Sequence, residues 1–162
     1  MEMKYKMFDF AKIVKTINYW SWKELIWGQR NRIIRNKDII EYAKNVLEED
    51  IKRFDEVLEL SIADEDEDIA SLLVQLANLD KVETDEAIQE KWRYAILLDL
   101  YNNQDSYDNV YENIENIYAD FDYQEDMASF IGYMPSSSGR SIEESWKMYL
   151  NDKSEQFVQS RE

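Results

Sequence analysis

Asp64, Asp66 and Asp68, spaced two residues apart, are the side chains in this chain whose type and spacing come nearest to a chemical site. They match positions 1, 3 and 5 of a calcium-binding EF-hand loop, where carboxylate oxygens ligate the ion. The rest of the loop departs from that pattern. Its sixth position, where glycine makes a sharp turn, is Ile69, and its twelfth, where a bidentate glutamate closes the shell, is Gln75. No metal site is expected. The run Asp64, Glu65, Asp66, Glu67, Asp68 is read as negative charge ahead of a helix, whose dipole favours it there by a fraction of a kcal/mol.

The chain has no histidine and no cysteine, which removes the commonest general base, the thiolate nucleophile and the usual transition-metal ligands. Its carboxylates supply the residue type for a glycosidase-like acid and base pair, but no spacing selects two of them. The stretch Ser136, Ser137, Ser138, Gly139, Arg140 lacks the spacing and lysine of a phosphate-cradling loop and reads as a helix connector. No catalytic residue, metal or cofactor is expected. An enzyme is the remote alternative, and it would need a carboxylate cluster in a real pocket.

Charge is more informative. The formal net charge of -16 repels a phosphate backbone and favours a basic partner, so direct nucleic-acid binding is not expected. The excess is central: residues 54–139 hold 22 acidic and 3 basic side chains, against 8 and 12 in residues 1–53. From Tyr94 to Gly139 there is no lysine or arginine, and a second such gap runs from Phe54 to Asp80. Within the first, Asp105, Asp108, Glu112, Glu115, Asp120 and Asp122 alternate with Tyr101, Tyr107, Tyr111, Tyr118 and Tyr123. Asp108, Glu112 and Glu115 lie at i, i+4 and i+7, where like charges cost a few tenths of a kcal/mol each on a helix. Negative potential with rigid aromatic area suits protein recognition. The favoured contacts are Asp105, Asp108, Glu112, Glu115, Asp120 and Asp122, with Tyr107, Tyr111 and Tyr118 as anchors and Asp64 to Asp68 as a second patch. For Tyr118 and Phe121, core packing is an equal expectation.

The elements that must position these residues are helical. Three glycines and one proline are too few for the turns of a sandwich or barrel. Apolar residues recur at helical spacing in Ile39, Ile40, Ala43, Val46 and Leu47, in Ile69, Leu72, Leu73 and Leu76, and in Val110, Ile114, Ile117 and Phe121. Ile88, Trp92, Ala95 to Leu98, Leu100 and Tyr101 are apolar over a wider arc, which predicts a central helix. Ser21/Glu24, Asp122/Glu125 and Ser141/Glu144 have the spacing of capping boxes at helix starts. The fold class expected is all-α: residues 1–162 as a single compact bundle of about seven to eight amphipathic helices, or stacked helical hairpins. No stretch has the apolar run of a signal peptide or membrane span, so a cytoplasmic location and no membrane partner are expected.

Two segments resemble a bacterial family, domain of unknown function 2247. They are SWKELIWG around Trp22, Leu25, Trp27 and Gly28, followed by DIIEYA at Asp38 to Ala43, and IYADFDYQEDMASFIGYMP from Ile117 to Pro135. The order of elements matches over nearly the full chain, although Gln29 to Lys37 is strongly basic where a more neutral sequence is expected. The resemblance implies an immunity protein, made beside a polymorphic or contact-dependent toxin and neutralising its toxic domain. Combined with the acidic face, it leads to the expectation of an antitoxin that occludes the active site of a cationic toxin, a nuclease above all. The alternative is an acidic nucleic-acid mimic, an inhibitor or adaptor of a basic DNA-binding protein.

Overall fold

The computed structural model describes residues 2–49, 53–134 and 139–158. Among these it contains α-helices and two short 3-10 stretches, and no strand, so the all-helical expectation holds. The connector Ser136 to Ser138 lies outside the described residues. The chain divides into two compact units, residues 1–84 and 85–162. No helix among the described residues is long and apolar enough to cross a membrane.

The first unit holds α1 (Phe10–Ile13), α2 (Trp22–Arg30), α3 (Asn36–Val46), α4 (Phe54–Ser61) and α5 (Ala70–Ala77). α2 begins as its sequence predicts: the Glu24 amide donates to Ser21 Oγ at 3.1 Å, and the Ser21 amide donates to Glu24 Oε1 at 2.8 Å. It ends where Arg32 takes φ 58°, with the Ile33 amide reaching back to Gly28 O at 2.9 Å, a Schellman closure that satisfies carbonyls left open by the last turn. α4 has no clear periodic signature in the sequence; it buries Val57 and Leu60 and packs between α3 and α5. Asp80, its side chain 2% exposed, ties the unit together. Its carboxylate accepts from the Lys23 amide and from Arg53 Nη1, each at 3.0 Å, and Arg53 also donates to Leu76 O at 3.2 Å.

The second unit holds α6 (Asp85–Asn102), a 3-10 turn (Gln104–Ser106), α7 (Val110–Asp120), a 3-10 stretch (Glu125–Phe130) and α8 (Ile142–Phe157). Ten of the eighteen residues of α6 are buried, which makes it the central helix that its wide apolar arc predicts. α7 packs on it through Ile114, Ile117 and Tyr118, while α8 packs on both α6 and the 3-10 stretch through Trp146, Tyr149 and Leu150. Ser141 caps α8 as expected, accepting from the Glu144 amide at 3.1 Å.

Asp122/Glu125 does not start a helix. Asp122 takes φ 63°, donating its amide to Ala119 O at 3.2 Å, and the Tyr123 amide donates to Tyr118 O at 2.8 Å. These two bonds are the Schellman closure of α7, with an aspartate in the left-handed position that glycine usually fills. Aspartate is one of the few other residues that tolerate that conformation. The next stretch is 3-10, without a side-chain cap.

Candidate functional site

The second unit builds the expected face from the 3-10 turn through α7. Asn109 caps α7, its Oδ1 accepting from the Glu112 amide at 3.2 Å. With Ile114, Ile117 and Tyr118 turned inward, Asp105, Asp108, Tyr111, Glu112, Asp120 and Asp122 are exposed. Tyr107 and Glu115 are half-buried. The Tyr107 phenol is held above its ordinary range by burial and, secondarily, by the nearby Asp99 carboxylate. Tyr118 does not join the face: it is 5% exposed and packs in the core, as does Phe121.

Two acids of the basic-free stretch are also engaged within the unit, Asp99 buried and Asp126 at the surface. Asp99 is 3% exposed and accepts from Asn103 Nδ2 at 3.2 Å. Asp126 accepts from both terminal guanidinium nitrogens of Arg93, Nη1 and Nη2, Nη2 to Oδ2 being 3.1 Å, and lies 3.6 Å from Lys153 Nζ. Lys153 in turn donates to Glu90 at 2.6 Å. Helix packing thus brings Arg93, just before the stretch, and Lys153, well after it, onto an acid that the sequence leaves without a counter-ion. Arg93 is itself buried. Burial works against its charge, but the hydrogen bonds to Asp126 and the neighbouring charges more than offset this, so its pKa stays above the ordinary guanidinium value. Sequence reasoning misses this four-residue network; its one signal is a lone arginine on the broadly apolar arc of α6.

Tyr149 lies under Arg93, the guanidinium 5.9 Å from the ring centroid. Its hydroxyl is buried and, like Ser145 Oγ and Trp146 Nε1, finds no hydrogen-bond partner among the described residues. Burial drives the Tyr149 phenol far above its usual range, with Arg93 opposing the shift. An unpaired buried hydroxyl costs about 1–3 kcal/mol. Tyr149→Phe removes it and keeps the ring, and so should raise stability by about 1 kcal/mol in urea unfolding; a loss of stability would show that the hydroxyl has a partner.

In the first unit, Asp64 to Asp68 are all exposed. Asp68 accepts from the Ala70 amide at 3.0 Å at the start of α5, and Glu67 accepts from the Asp64 amide at 3.2 Å. The carbonyls of Glu65 and Glu67 accept from Asn36 Nδ2 at 3.4 and 3.3 Å, which sets the acidic run beside the basic loop between α2 and α3.

A family of sequences described as an uncharacterized protein conserved in bacteria, DUF2247, matches residues 10–161. The chain belongs to the DUF2247 family. This bears out the resemblance carried by the SWKELIWG and IYADFDYQEDMASFIGYMP segments, both of which fall inside the match. No curated protein and no solved structure matches this DUF2247 chain.

Proposed function

We propose that this DUF2247 chain is an immunity protein, which binds a cognate bacterial toxin domain through the acidic face of its second unit and occludes the toxin's active site. The observation that carries the reading is the separation of roles on α7 and the residue just ahead of its Asn109 cap, Asp108. Ile114 and Ile117 make the core contact, while Asp108, Tyr111 and Glu112 face solvent with no basic residue between Tyr94 and Gly139 to balance them. Ordinary surface helices gain from mixed charge. A face that forgoes this suits a cationic surface such as the substrate groove of a nuclease, and the acids would hasten encounter with it.

Co-expression with the toxin domain encoded beside this gene tests the reading, scored by survival and by recovery of a purified complex. Absence of both would reject it. If the complex forms, reversing Asp105, Asp108 and Glu112 together to lysine should slow association at least about tenfold at low salt, with a smaller effect near 0.15 M. An unchanged rate would remove this face from the interface. A gene with no adjacent toxin, whose product binds basic DNA-binding proteins, would instead favour the nucleic-acid mimic.

A further inference from the structure

Where α7 ends, three tyrosines from separate stretches of the second unit come together. Tyr118, on α7, is buried; the ring of Tyr123 meets it edge-on at 5.2 Å, and the ring of Tyr133 lies 6.4 Å away at 57°. Tyr123 and Tyr133 are each 59% exposed, more than any other large apolar or aromatic side chain described in this unit. Neither hangs on a loose loop. Tyr123 follows Asp122 in the Schellman closure, and its contact with Tyr118 is the side-chain packing that accompanies that motif. Tyr133 is an inner residue of a turn closed by the Met134 amide donating to Ile131 O at 3.0 Å.

A carboxylate lies close to this turn: a β-carbon on Gly132 would stand 3.4 Å from Glu115 Oε2, an ordinary contact distance. Glu115 is near enough to the Tyr133 phenol to raise its pKa, after partial burial and the two neighbouring phenols. Asp120 and Asp122 are exposed on the same helix end. The cluster therefore offers two exposed aromatic rings on hydrogen-bonded turns, backed by a third and edged by carboxylates.

We infer that Tyr123 and Tyr133 form a docking site for arginine side chains of a basic protein partner, with Glu115 supplying the counter-charge. The inference rests on the reading that the partner is a cationic protein, and it names the anchors for that contact. Chemistry selects the occupant. The faces of the rings are negative and attract cations, and the flat guanidinium stacks on them as an ammonium does not. A second copy of this chain would bring acids against acids. Because the rings are held by closed backbone turns, little ordering is required on binding.

The test uses octa-arginine and octa-lysine as probes of the full chain, with affinities from titration calorimetry and ring-proton shifts from NMR. Octa-arginine should bind more tightly and shift the Tyr123 and Tyr133 resonances. Tyr123→Leu/Tyr133→Leu keeps the apolar contact with Tyr118 but removes both π faces. It should weaken octa-arginine binding at least about fivefold and abolish the preference over octa-lysine. Reversing Asp105 and Asp108 should weaken both peptides alike. Equal affinities for the two peptides, or an unaffected double variant that retains wild-type helicity, would overturn the inference. Arginine selection by the tyrosines without protection in co-expression would reject immunity and leave this site standing; protection without arginine selection would do the reverse.

Discussion

Asp126→Ala should lower the stability of the protein by about 2–3 kcal/mol, at or below the low end of the loss expected when a buried charge is deprived of its partner. The asymmetry of the pair sets the effect. The Arg93 side chain is 5% exposed, whereas that of Asp126 is 33% exposed, so the variant leaves a positive charge inside the unit and returns little to water. Lys153 cannot compensate, since it carries the same sign. The Tyr149 ring beneath the guanidinium persists, and a cation-π contact of about 1 kcal/mol does not replace two charge-assisted hydrogen bonds. Urea unfolding followed by Trp92 and Trp146, both buried in this unit, reads the change. Arg93→Met/Asp126→Ala should recover most of the loss, because it is the stranded charge and not the missing bridge that destabilises. A single variant within about 0.5 kcal/mol of wild type would mean that the pair is solvated.

Tyr42→Phe should cost about 2–3 kcal/mol, opposite in sign to the same exchange at Tyr149. The Tyr42 hydroxyl is buried between backbone groups of one residue: it accepts from the Trp20 amide at 2.9 Å and donates to Trp20 O at 3.0 Å. Phenylalanine preserves the packing of the ring against Trp22 and Phe10 but withdraws that partner from both groups. The expected readout is an earlier unfolding midpoint in urea with an unchanged slope, since the area exposed on unfolding stays the same. The paired exchanges separate hydroxyls that satisfy the backbone from one that is itself unsatisfied. Equal effects at Tyr42 and Tyr149 would contradict both assignments.

Helical periodicity in the sequence conveys α3, α5, α6 and α7 because each buries a continuous arc. α4 escapes notice for a physical reason. Phe54, Leu58 and Ile62 are exposed while Val57 and Leu60 are buried, so apolar residues surround the helix and blur its period. Asp122/Glu125 misleads because the same spacing serves a helix start or the sequel to a helix end, and the backbone angle at Asp122 decides between them. The acidic stretch from Tyr94 to Gly139, free of lysine and arginine, is legible, but distance along the chain is a poor guide to neutralisation. Asp126 meets Arg93 and Lys153 only when α6, α8 and the 3-10 stretch pack together. Tyr118 lies four residues after Ile114, on the core stripe of α7, and that position already separates it from Glu112.

The division of labour on α7 bears on how such a protein can change over generations. Stability depends on Ile114, Ile117 and Tyr118, and the outward positions contribute little to it; substitutions at exposed sites of this kind usually shift folding by no more than about 0.5 kcal/mol. Tyr111 and Glu112, with Asp108 just ahead of the helix, can therefore be rewritten together without endangering the scaffold that displays them. A lineage under pressure to follow an altered partner has a surface on which variation is nearly free, set on a helix whose other side holds its place.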